Sequence, residues 1–117
     1  MPELTNKNAG GLLLNQLIDY AFKNGAELLP QPHILSSMKK AFDDAELVNT
    51  CFCLFTNNLN VSKTAAVLYM HRNTLIYRIS KLKRLTGLDV TDFSDAVTFI
   101  VTYRAYLNTK KAEGASL

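Results

Sequence analysis

Between positions 62 and 84 stand ten side chains whose donors suit a polyanion: Ser62, Lys63, His71, Arg72, Asn73, Thr74, Tyr77, Arg78, Lys81 and Arg84. Guanidinium and ammonium groups pair with phosphate oxygens, and the forked donors of Arg and the amide of Asn match purine edges in bidentate geometry. Their spacing sorts them. At about 100° per residue, Leu75, Ile79 and Leu82 share one face of a helix, while Asn73, Thr74, Tyr77, Ser80, Lys81 and Arg84 lie mostly opposite, with Arg78 on the flank beside Thr74. The chain has no Asp or Glu between Glu46 and Asp89, yet Lys63, Arg72, Arg78, Lys81, Lys83 and Arg84 fall inside that window. A net charge of +3 is modest, but this distribution makes one surface locally positive. The pattern fits a helix laid in the major groove of duplex DNA. Arg72, Asn73, Thr74 and Tyr77 would then meet base edges. Ser62, Lys63, His71, Arg78, Lys81 and Arg84 would hold phosphates. For Tyr77 the spacing leaves a second place open, with its ring packed on a neighbouring helix.

Other chemistries lack their residues. His33 follows Pro32 and His71 sits in a polar turn, neither with a carboxylate or thiol at motif spacing. No glycine-rich phosphate loop, HExxH or CxxC occurs, so neither an enzyme nor a metal or cofactor site is expected. Cys51 and Cys53, two apart on a helix, point in different directions and read as small buried hydrophobes in a reducing compartment. The stretch Leu12–Phe22 is interrupted by Asn15, Gln16 and Asp19 and is too short to span a bilayer, and no signal peptide is apparent. A cytoplasmic protein is expected.

The elements that must position these side chains follow from apolar period and caps. A chain of 117 residues, 48% hydrophobic and 20% charged, suits one globular unit with a core. Residues 1–11 are polar and glycine-ended. Leu14, Leu17, Ile18 and Ala21 keep helical spacing up to Asn24-Gly25, and Leu29-Pro30-Gln31-Pro32 marks a connection. Ile34, Leu35, Met38 and Phe42 suggest a short helix, and Asp43 or Asp44 can cap the next, with Leu47, Cys51, Leu54 and Phe55 inside, up to Asn57-Asn58. Ser62 is placed to cap Lys63–Met70, and a longer helix runs from about Asn73 to Thr86 and closes at Gly87. Asp92 or Ser94 caps a last helix with Ala96, Ile100, Tyr103 and Leu107 at three-and-four spacing. Few segments alternate with a period of two, so the expectation is an all-α fold of about six helices. Leu68, Leu75, Ile79, Leu82 and Ile100 should be buried together, with Ala65 small enough to let two helices cross.

The segments Asn58-Leu59-Asn60-Val61-Ser62, Thr64-Ala65, Leu68 through Ile79, Leu85-Thr86-Gly87-Leu88-Asp89 and Phe93 through Phe99 resemble the C-terminal DNA-binding domain of the PucR/CdaR family of bacterial transcription regulators. The resemblance covers residues 44–107, and its turn and second helix look like a helix-turn-helix of the factor-for-inversion-stimulation (Fis) type. It implies sequence-specific duplex-DNA binding by a module at the end of a longer, ligand-responsive regulator. This chain has no room for the sensing region, so the effector is expected to be sensed by a region absent from it. One departure stands out: Tyr69 occupies a position where glycine often opens the turn, which predicts a slightly wider turn.

These readings divide the chain into a helical extension over 1–42, a helix-turn-helix domain over 43–108 and a loose tail over 109–117. A single helix reads few base pairs, so a homodimer is expected, with recognition helices about 34 Å apart. The stripe Leu14, Leu17, Ile18 and Ala21 could make the dimer contact or close over its own core. The alternative to DNA binding is a helical interaction or dimerisation module.

Overall fold

The computed structural model describes residues 36–115 together with Gln16 and Lys23, with side chains as far as Lys111. The helix expected over 12–24, its apolar stripe and His33 lie outside the described residues, apart from Gln16 and Lys23, both helical. The described residues form five helices and no strand: α1 (Lys39–Phe42), α2 (Ala45–Thr56), α3 (Val61–Val67), α4 (Arg72–Thr86) and α5 (Phe93–Ala115). The all-α fold is as the periodicity predicts, and of the about six helices expected the first, over 12–24, falls outside the described residues.

The starts of α2, α3 and α5 fall where a short polar side chain can satisfy an otherwise unpaired amide, whereas α1 follows Met38 without a side-chain cap. Of the two candidates before α2, Asp44 is the cap: it is extended and its Oδ1 accepts from the Leu47 N–H at 3.1 Å. Before α5 it is Asp92, whose Oδ2 accepts from the Asp95 N–H at 3.0 Å. The cap of α3 is Asn60 rather than Ser62: the Asn60 Oδ1 accepts from the Lys63 N–H at 2.9 Å, and the helix starts two residues earlier than expected. Both residue types cap well. Asn60 takes the role because Asn58 and Leu59, both left-handed (φ 57° and 62°), have already turned the chain out of α2.

The core joins α1, α2 and α5 through a cluster of rings. Phe99, fully buried, lies 5.5 Å from Phe42, 5.7 Å from Phe55, 6.2 Å from Phe52 and 6.2 Å from Tyr103, measured between centroids. Leu82 and Val90 enter the same core from α4 and the connection after it. Ile100 joins them, and Ile79 packs against the edge. Leu75 is fully buried but stands apart from this cluster, and Leu68 is only half-buried, because it ends α3 just before the turn. Cys51 is buried, which pushes its thiol pKa up to about 12 and keeps it protonated, while Cys53 is half-buried; both are free.

The C-terminal helix is longer than the sequence suggested. A loose tail was expected from residue 109, yet α5 runs on to Ala115. The reason is tertiary. Lys110 approaches the Asp43 carboxylate at 3.2 Å and sits 5.6 Å from the Tyr106 ring centroid, so the last turns are tied to the α1–α2 junction.

Asp43 also accepts from Lys39 and from the Tyr106 hydroxyl. The Lys39 ammonium, then the Tyr106 hydroxyl, hold its carboxyl well below the usual carboxylate range. A group whose folded pKa is depressed contributes stability above its unfolded pKa of about 3.9, and that stability is lost as pH falls below it. Asp43→Asn should therefore lower the urea midpoint at pH 7, and its deficit against the parent chain should shrink steadily between pH 5 and pH 2. A deficit constant over that range would mean the carboxylate's charge is not what matters.

Candidate nucleic-acid interface

The interface is built on α3, α4 and the turn between them. α3 is seven residues long and packs against α4 with Thr64 and Ala65 buried, so the small residue lies at the crossing. After Leu68 the Tyr69 N–H donates to the Ala66 carbonyl at 3.2 Å and the Met70 N–H to the Ala65 carbonyl at 3.0 Å. Those two bonds close a Schellman turn, which requires a left-handed residue at Tyr69, and its φ is 53°. The turn needs no widening: tyrosine adopts the conformation glycine would take. A non-glycine residue pays roughly 1–2 kcal/mol for that conformation, and glycine loses roughly 0.4–1 kcal/mol of that advantage through unfolded-state entropy. Tyr69 is 97% exposed, so its ring returns little. Tyr69→Gly should stabilise the domain by about 0.5–1 kcal/mol in urea titrations. A loss of stability would show that the ring is held after all.

α4 spans 15 residues and begins at Arg72, one residue earlier than expected, because His71 caps it. The His71 Nδ1 accepts from the Asn73 N–H at 3.1 Å, which places the imidazole proton on Nε2 and leaves that N–H at the surface beside the helix start. The helix closes at Gly87, left-handed at φ 78°, whose N–H donates to the Lys83 carbonyl at 2.7 Å. A Cβ there would meet no atom within 4 Å, so glycine is required by φ alone.

The side chains of α4 separate into two groups. Leu75 and Leu82 face inward and are fully buried. Arg78 and Lys81, both expected at phosphates, lie on the flank toward α2. Arg78 pairs with Glu46 and donates to the Thr50 Oγ1 at 3.1 Å, and Lys81 reaches Asp44 at 3.8 Å. Arg78 is thereby engaged inside the chain, bracing α4 against α2. Its partner Glu46 is the acid that borders the acid-free window, 32 residues away, a pairing that no local pattern could reveal.

The outward face keeps Arg72, Asn73, Thr74, Ile76, Tyr77, Ser80, Lys83 and Arg84 exposed. Lys63 and Ser62 are exposed on α3, so every base-reading and phosphate candidate except Arg78 and Lys81 is open to solvent. Tyr77, for which packing on a neighbouring helix was the other place open, is 61% exposed. The Arg84 guanidinium sits 5.8 Å from its ring centroid. Lys63, Arg72 and Arg84 make no ion pair among the described residues. Lys83 and Ile76 complete the face and were not among the predicted site residues. Helical spacing places both beside Ser80, so the signal for them is the same period that sorts the rest of the face.

A short helix, a turn closed by a left-handed residue and a longer helix with an outward basic face together define a helix-turn-helix domain of the kind carried by transcriptional regulators. Residues 47–108 match the model of the PucR C-terminal helix-turn-helix domain, more than half of the chain, and the chain belongs to that family. It is 34% identical over 67 residues to the carbohydrate diacid regulator of Escherichia coli, a stretch covering 57% of this chain and 17% of that protein. It is 37% identical over 57 residues to the purine catabolism regulatory protein of Bacillus subtilis, covering 49% of this chain and 11% of that one. Over 79 residues it is 30% identical to the proline-responsive transcriptional activator PutR of B. subtilis, covering 68% of this chain and 17% of the other. The chain thus spans less than a fifth of the length of these curated relatives. No solved structure matches it significantly. Among the described residues no helix is long and apolar enough to cross a membrane.

Proposed function

We propose that this chain binds duplex DNA sequence-specifically as the reading module of a ligand-responsive bacterial transcription regulator, with α4 in the major groove. The observation that carries this reading is the outward face of α4. Its exposed Arg72 and Arg84 make no ion pair among the described residues, while the two cations on the inner flank are matched by Glu46 and Asp44. Arg72, Asn73, Thr74 and Tyr77, in the first turns, meet base edges. Ser62, Lys63, His71 through its Nε2–H, and Arg84 hold phosphates. Lys81 joins them if it releases Asp44, and Arg78 acts by fixing the tilt of α4. The working form is a homodimer in the cytoplasm, its two copies of α4 about one DNA turn apart, and the effector is sensed by a separate region of the regulator.

Fluorescence anisotropy with a selected duplex at 50–300 mM salt tests this. Log affinity should fall linearly with log salt, with a slope of about −0.9 per phosphate contact, and Lys63→Ala should make the slope shallower by about one. The second reading, a helical interaction module without DNA binding, has one observation in its favour: Phe93 and Val97, four apart on α5, are exposed apolar neighbours. Self-association that ignores salt, with no duplex bound, would establish that reading instead.

A further inference from the structure

One residue on the outward face of α4 is explained neither by the core nor by phosphate chemistry. Ile76 is 37% exposed, and along the helix it lies one turn after Arg72 and Asn73 and one turn before Ser80. It is therefore in register with the side chains assigned to base edges. Phe93 and Val97 are also exposed but lie on α5, away from that register. An isoleucine at such a place in a helix is a mediocre helix former, and Ile76 stands outside the buried cluster. Its β-branched side chain, though, has one strongly preferred rotamer there, so its methyl groups are held in place.

The major-groove edge of B-DNA is polar except at one feature, the C5-methyl of thymine. We infer that Ile76 is a specificity-determining residue that packs against a thymine methyl in the major groove. Asn73, on the preceding turn, is suited to adenine. The two together favour a half-site in which an adenine read by Asn73 adjoins a thymine read by Ile76. This inference rests on the proposed DNA-binding function and names what one position of that site recognises.

The test removes the methyl from the DNA, not only from the protein. The full chain is titrated by anisotropy against its selected duplex and against duplexes in which each thymine in turn is replaced by deoxyuridine, which keeps every hydrogen bond and lacks only the methyl. The same series is run with Ile76→Ala. The parent chain should lose about fourfold in affinity at one thymine of each half-site, the equivalent of one buried methyl group. Ile76→Ala should bind the thymine duplex correspondingly more weakly and be indifferent to uracil at that position. Indifference of the parent chain to every replacement would overturn the inference and leave DNA binding intact. So would equal uracil sensitivity in parent and variant. Failure of the parent chain to bind any duplex would instead overturn the proposed function, and this inference with it.

Discussion

Phe99→Ala is expected to remove about 3–5 kcal/mol of folding stability. The ring is fully buried and meets Phe42 from α1, Phe52 and Phe55 from α2 and Tyr103 from its own helix, so truncation opens a cavity where three helices converge. Edge-to-face contacts add to the loss of buried area, since aromatic pairs contribute about 0.5–1.5 kcal/mol beyond it. A domain of this size has a total stability of roughly 5–15 kcal/mol, so the variant should be marginal at 37 °C. Urea denaturation followed by circular dichroism measures the change. Phe93→Ala, six residues earlier on the same helix and 76% exposed, is the control and should stay within about 0.5 kcal/mol of the parent chain. A Phe99 loss no greater than that of Phe93 would show that α5 does not organise the core.

Asn73→Ala should weaken binding to the selected duplex by about 1–3 kcal/mol, roughly 5- to 150-fold, while scarcely changing affinity for unrelated DNA. The residue stands at the second position of α4 with its side chain exposed, and its backbone N–H is already committed to His71. The amide is thus left to meet a base edge. Lys63→Ala should behave differently, lowering affinity for selected and unrelated duplexes alike, because a phosphate contact carries no sequence information. Stability should be little affected in either case, which unfolding curves can verify before binding is compared. If Asn73→Ala weakened all duplexes equally, the base-reading assignment would fail. If Lys63→Ala discriminated among them, the division between the two groups would fail.

The parts of the fold set by local chemistry could be read from the chain, and those set by distant contacts could not. The three-and-four spacing of Leu75 and Leu82 made their burial legible, and Asp44, Asp92 and Gly87 stand where caps belong. Asn60 and Ser62 are both good capping types two residues apart, and only the left-handed pair at Asn58 and Leu59 decides between them. The conformation of Tyr69 was hidden because its side chain argues against it; the backbone bonds to Ala65 and Ala66 impose it. Most of the outward face was legible from the same helical period, but the inner engagement of Arg78 was not, because Glu46 and Thr50 belong to another helix. The extension of α5 past residue 108 likewise depends on Asp43, far away in sequence.

The brace between Arg78 and the Glu46–Thr50 pair has a consequence for how such a domain can diversify. It fixes α4 to its neighbour using a side chain on the flank, and Leu75 and Leu82 anchor it from beneath. The positions that face outward, Asn73, Ile76, Tyr77 and Ser80, contribute little to either attachment. Substitutions there should therefore be nearly neutral for folding, and under the proposed function their selective effect would fall on which DNA address is chosen. Duplicated copies of the gene could drift to new addresses by single steps, each passing through a folded protein, whereas a change at Arg78 would alter the pose of every reading residue at once. Evolutionary freedom and constraint are thus divided between two faces of one helix.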